Sequence, residues 1–131
     1  MSTDFDDIKI VGFDEKAARK GEPGTVLMYL VLELSASAPY AWAEAFNVLW
    51  ESNFYMMKRR AEVSGDRIEI YCVPDELEKH HLPELKKIVA KTNASYREFL
   101  AVGERAERVR AAEEEAEHAG LAAIKDRLKF D

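Results

Sequence analysis

The chain has 131 residues, 47% hydrophobic and 34% charged, with a net charge of −6. That balance excludes a disordered chain and argues against nucleic-acid binding, and the length predicts one domain with its own core. The single cysteine, Cys72, excludes an internal disulfide and predicts a reducing compartment, for which we expect the cytoplasm.

Two strands are predicted in the first third of the chain. Residues 8–13 are rich in β-branched side chains, and residues 25–35 alternate regularly between two faces. Both faces of 25–35 are largely apolar, so we expect a central strand covered on both sides. Helices would cover one side, and a further helix or a second subunit would cover the other.

A helix is predicted next, with Ser37 as its cap and Pro39 in its first turn, ending near Asn53. Its expected core face is formed by side chains at helical spacing: Ala38, Trp42, Ala45, Phe46 and Leu49. Trp50 lies off that face, which makes it a candidate interface residue.

A β-hairpin is predicted from residues 57–63 and 67–73, which flank Ser64-Gly65-Asp66. Pairing Val63 with Ile68 gives one buried and one exposed face, as in an antiparallel sheet. The same register places Arg60 diagonally from Glu69, which predicts a cross-strand ion pair.

A long helix is predicted from Pro83 onwards, because apolar side chains recur at steps of three and four up to Leu100. The element order is therefore ββαββα. It predicts an α+β two-layer sandwich with a four-stranded, mainly antiparallel sheet and a long C-terminal helix. We expect one core that contains Leu30, Leu32, Trp42, Phe46, Ile70, Ile88, Tyr96 and Phe99.

The character of the helix changes after Gly103, where Glu, Arg and Ala dominate. These residues favour a helix but bury little apolar surface, so we divide the chain into a compact domain, 1–103, and a helical extension, 104–131. A stripe of small residues runs along the extension and ends in larger apolar ones. The candidate interface residues are Trp50, Val109, Ala116, Leu121, Ile124 and Leu128.

Two weaker patterns indicate other chemistry. His80-His81 near Cys72 suggests zinc, but adjacent histidines point apart and no metal-ligand spacing is present. We therefore expect two solvent-exposed histidines ahead of the helix, and no metal. Lys58-Arg59-Arg60, with Trp50 and Tyr55 nearby, suggests single-stranded nucleic acid. The acidic chain and the use of charged side chains to protect strand edges argue against it.

The function predicted from these patterns is protein–protein association by a homodimer, or by binding of another protein. The alternative is a small-ligand-binding or catalytic domain that uses the aromatic side chains of Trp42, Trp50 and Tyr55. No catalytic or cofactor motif is present. The N-terminus lacks signal-peptide character, and the longest apolar stretch, residues 26–32, is too short to cross a membrane.

Overall fold

A computed structural model describes residues 5–130, which divide into two units between Arg97 and Glu98. The strands and helices alternate as predicted, with one additional two-residue strand. They are β1 (Ile10–Phe13), β2 (Arg19–Lys20), β3 (Met28–Leu34), α1 (Tyr40–Ser52), β4 (Arg60–Ser64), β5 (Arg67–Cys72) and α2 (Leu82–Arg127). The α+β class and the long C-terminal helix are confirmed. The boundary at Gly103 stays a prediction about which part folds alone.

The sheet has the strand order β1-β3-β5-β4, and the short β2 also pairs with β3. Each pairing among the described strands is antiparallel. The predicted hairpin register is confirmed, because Val63 lies opposite Ile68. As expected, β3 is central and has neighbours on both sides.

The core lies between one face of the sheet and the two helices. Alternate residues of β3, β4 and β5 point into it, together with Leu85, Ile88 and Val89 from the start of α2. Helix α1 contributes Trp42, Phe46 and Trp50, which are spaced four residues apart. The ring centroids of Trp42 and Phe46 are 6.0 Å apart, and those of Phe46 and Trp50 are 6.2 Å apart. Most of the predicted core is thereby confirmed.

Two predicted placements are wrong. Trp50 is only 2% exposed and belongs to the core, because the buried face of α1 follows the four-residue spacing of its large rings. Phe99 was expected in the core but is 59% exposed. In addition, α1 begins at Tyr40 after Pro39, without the side-chain cap predicted from Ser37.

Asn93 ties the segment before β1 to the core. Its Oδ1 atom accepts hydrogen bonds from the backbone N–H of Ile8 at 3.0 Å and from Trp42 Nε1 at 2.9 Å. Its Nδ2 atom donates to the carbonyl of Ile8 at 2.9 Å. All three groups are buried, so this one amide replaces the partners that water would otherwise supply.

The hairpin turn requires glycine at position 65, where φ is +61°. We expect Gly65→Val to lower the free energy of unfolding by more than about 1 kcal/mol, because a β-branched residue is strained in this conformation. Gly120→Ala is the matched control, since Gly120 lies within α2 with open space around its Cα; it should stabilise the chain slightly. Equal unfolding curves for Gly65→Val and the unmodified chain would contradict the assigned turn.

Candidate functional site

The aromatic residues of the predicted ligand zone lie mainly inside the core. Trp42 is fully buried, and its indole N–H donates to Asn93. The indole N–H of Trp50 donates to the backbone oxygen of Arg59 at 3.0 Å. Trp42 therefore cannot line an open pocket, and the interpretation of these rings as a shared ligand site loses one of its three members.

A chain of hydrogen bonds crosses the region where the loop before β4 meets the start of α2. Tyr55 Oη lies 2.7 Å from His81 Nδ1, and His81 Nε2 lies 3.1 Å from Glu76 Oε1. Glu76 also accepts two hydrogen bonds from the Arg59 guanidinium, each 3.1 Å long. His81 is completely buried, so the expectation of two solvent-exposed histidines is wrong for His81.

A short π-helical turn, Leu77–His81, brings His81 into this position. Such a turn rotates the side chains that follow it relative to a regular α-helix, so His81 faces Tyr55 while its neighbour His80 is exposed. Sequence periodicity assumes a regular helix and therefore cannot place these two side chains.

The contacts and the burial in this series of hydrogen bonds shift the pKa values of Glu76 and Tyr55 in opposite directions. Hydrogen bonds from Arg59 first, and from His81, lower the pKa of Glu76 to about 2, so it is a carboxylate at neutral pH. Burial raises the pKa of Tyr55 to about 12. A carboxylate can only accept hydrogen bonds, so the contact with Glu76 is donated by His81 Nε2–H.

The order of Tyr55, His81 and Glu76 is that of a hydroxyl, a base and an orienting carboxylate. An activated nucleophile needs a lowered pKa or an approaching substrate, however, and here burial keeps the phenol protonated. The arrangement is suited to fixing the loop that contains Tyr55 against α2.

An open cleft of about 850 Å³ runs along β4 and onto the outer face of the sheet. Trp50 borders it together with Tyr29 and Tyr71, whose ring centroids are 4.4 Å apart with the ring planes tilted by 34°. Of the predicted ligand zone, Trp50 borders this cleft whereas Trp42 and Tyr55 do not, and a small-ligand site in that zone stays a prediction.

The basic residues of the cleft are largely engaged within the chain. Lys58 donates to the carbonyls of Trp50 and Glu51, and Arg59 is paired with Glu76. Arg19 bonds Glu69 at 2.7 Å, so the predicted pairing of Arg60 with Glu69 is wrong. The missed strand β2 supplies this competing cation. The expectation that nucleic acid is not a partner stays a prediction.

Side chains of α1 cover the outer edge of β4. Asn47 Oδ1 accepts a hydrogen bond from the backbone N–H of Val63 at 3.0 Å, and the indole N–H of Trp50 donates one to the carbonyl of Arg59. These groups point away from β5, because Val63 and Ile68 form a non-hydrogen-bonded pair beside the two-residue turn. An incoming strand would have to displace both side chains.

Neither a metal centre nor a membrane span stands out in the described part of the chain. Between residues 5 and 130, no three His, Cys, Asp or Glu side chains come together as metal ligands. Over the same residues, no helix has both the length and the apolar character needed to cross a bilayer. Cys72 is buried, and burial raises the pKa of its thiol to about 11.

The C-terminal part of α2, together with Leu128 immediately after it, carries the remaining candidate residues. Its backbone is helical through both Gly103 and Gly120, and each described residue from Arg105 onwards is exposed. The larger apolar candidates are between 43% and 59% exposed: Val109, Leu121, Ile124 and Leu128. Ala116 is exposed as well. Their role at an interface stays a prediction.

Comparison with known proteins identifies no relative: no protein-family model, no curated protein and no solved structure matches this chain.

Proposed function

We propose that the protein acts through protein–protein association, and that residues 104–130 form the associating surface of a homodimer. The observation that carries this proposal is the exposure of the helix from Arg105 to Arg127, including its apolar residues. Apolar residues repeated along an exposed helix are typical of surfaces that another helix covers.

The interactions within this segment are weak. Arg108 lies 3.9 Å from Glu104, and Arg110 is paired with Glu107. Exposed pairs of this kind contribute about 0.2–0.5 kcal/mol each. Because most helical stability in proteins comes from packing rather than from such pairs, a partner helix would supply what the segment lacks.

The apolar stripe has the shape that close helix packing requires. At 3.6 residues per turn, Val109, Ala112 and Ala116 lie on one side of the helix. Small side chains allow a second helix to approach, and Leu121, Ile124 and Leu128 would add larger contacts near its end. A second copy in the cytoplasm is the partner we propose, since the chain itself supplies a matching stripe.

Deleting residues 104–131 should lower the number of copies per particle, measured by light scattering coupled to size-exclusion chromatography. The physical reason is loss of the apolar stripe, since the remaining residues retain the buried core. An unchanged number of copies after truncation, or an intact chain that is already monomeric, would overturn the proposal.

A matched pair of full-length variants tests whether association depends on the apolar stripe or only on the presence of the helix. Val109→Glu with Ala116→Glu places two carboxylates on the stripe, whereas Ala111→Glu with Ala122→Glu places them on the opposite side of the helix. Glutamate is a good helix former, so both pairs should keep the helix. Only the first pair should reduce association.

A further inference from the structure

The loop between α1 and β4 presents large apolar side chains to solvent. Phe54 is 84% exposed and Met56 is 88% exposed, and Met57 is also exposed. We call residues 54–57 the 54–57 loop. Adjacent exposed side chains of this size are costly in water, and they are typical of contact surfaces.

This loop is held in place from several directions. Tyr55 lies between the two most exposed residues and points inward, where it contacts His81 and packs edge-on against Trp50 at 5.7 Å. Lys58 follows the loop and donates to the carbonyls of Trp50 and Glu51 at the end of α1. Phe54 and Met56 are therefore presented from a fixed backbone.

The backbone conformation of Met57 is a second indication that this loop is a contact surface. Its φ of +67° places a bulky residue in the left-handed region, the only such non-glycine residue among those described. Non-glycine residues in this conformation are strained, and they concentrate at binding and catalytic positions. A fixed, strained loop loses little entropy when a partner covers it.

A complementary groove lies on the other side of the turn that contains His81. It is bordered almost entirely by apolar side chains, has a volume of about 350 Å³ and includes one acidic residue. The residues of this groove, here called the Leu77 groove, are Phe13, Leu30, Leu32, Pro74, Leu77, Glu78 and Leu82. A cavity of about 150 Å³ already accommodates benzene, so the groove has room for an aromatic ring.

We propose that the 54–57 loop of one copy inserts into the Leu77 groove of a second copy, with the two copies exchanging loops reciprocally. Charge favours this occupant: the Lys58 ammonium lies 5.2 Å from the Phe54 ring, and Glu78 stands at the groove. The loop thus carries a cation beside its apolar tip, and the groove carries the matching carboxylate.

The positions of the loop and the groove also favour a reciprocal contact. The turn Leu77–His81 separates loop and groove, since His81 contacts the loop and Leu77 borders the groove. Two neighbouring complementary surfaces allow a two-fold contact that closes at two copies. This contact is independent of the helical one proposed above, and a chain that uses both would form assemblies larger than a dimer.

The test uses the full-length chain with Phe54→Ser and Met56→Ser. We expect the dissociation constant of the loop-dependent contact to rise at least about tenfold, since buried aromatic anchors dominate such contacts. Val26→Ser with Val48→Ser is the matched control, because these valines are exposed elsewhere, and it should leave association unchanged. All four positions are exposed, so melting of the monomer should change little.

Glu78→Lys supplies a second, independent variant, which should weaken association because it places a cation opposite Lys58. Glu22→Lys, at an exposed position away from the groove, is its control and should have no effect. An unchanged dissociation constant in the Phe54/Met56 variant would overturn the proposal, and so would equal effects of Glu78→Lys and Glu22→Lys.

Combining the loop variant with deletion of 104–131 distinguishes the two proposals. If both contacts exist, each change alone lowers the number of copies and the combination gives monomers. If only the loop contact exists, truncation changes nothing and the loop variant alone gives monomers. If only the helical contact exists, the loop variant matches the unmodified chain and this inference is overturned.

Discussion

Replacing Asn93 with leucine is expected to lower the free energy of unfolding by at least about 3 kcal/mol. The substitution would leave three buried groups without partners, namely the N–H and carbonyl of Ile8 and the indole N–H of Trp42. Each orphaned buried group costs about 1–3 kcal/mol. Urea unfolding followed by tryptophan fluorescence measures the loss, and reports directly on the ring that loses its partner.

Thr92→Val is the matched control for that experiment. Thr92 is the preceding residue of α2 and is equally buried, but its hydroxyl serves only the carbonyl of Ile88, one turn earlier. That carbonyl keeps its place in the helix, so we expect a loss of about 1 kcal/mol or less. Similar losses for the two variants would contradict a special role for Asn93.

Glu76→Gln is the second substitution with a large expected effect. At neutral pH it removes the charge that Arg59 and His81 both contact, and we expect a loss of about 2–3 kcal/mol, as for hydrogen bonds to a charged group. Because the pKa of Glu76 falls from its usual 4.5 to about 2 in the fold, its contribution is complete above pH 4.5. It is lost as the pH falls towards 2.

The measurement is urea unfolding of the unmodified chain and the Glu76→Gln variant between pH 7 and pH 3. The difference between their stabilities should narrow as the pH falls below 4.5, because Glu76 then becomes protonated in the unfolded chain while it stays ionised in the fold. Glu62→Gln on exposed β4 is the control, and should show a small, nearly pH-independent effect; Glu62 lies opposite Glu69. A Glu76→Gln difference that stays constant with pH would refute the assigned carboxylate.

The sheet and its register were predictable because their causes are local. Strict alternation with a Gly65-containing turn leaves one pairing that keeps the apolar residues on a single face, and Val63 does lie opposite Ile68. The central position of β3 followed from apolar residues on both its faces. The two-residue strand β2 was not predictable, because Arg19 and Lys20 carry no periodic pattern.

Several features that the sequence did not reveal depend on contacts between residues distant in sequence. Nothing near Asn93 reveals that its amide replaces a strand partner for Ile8, 85 residues away. His81 is buried because a π-helical turn directs it towards Tyr55. Glu69 binds Arg19, which lies in strand β2, and no sequence pattern predicted that strand. For the candidate site, the sequence indicated the helical stripe, and in the 54–57 loop it singled out Tyr55 as part of an aromatic zone. It did not indicate that the neighbouring Phe54 and Met56 face solvent.

The single thiol of this chain also allows opening of the fold to be measured by chemical labelling. Cys72 is completely buried at the end of β5, and its raised pKa keeps it protonated and unreactive. An alkylating reagent can therefore modify it only in molecules whose sheet has opened. The labelling rate at neutral pH would report how often β5 separates from its neighbours, without any engineered probe.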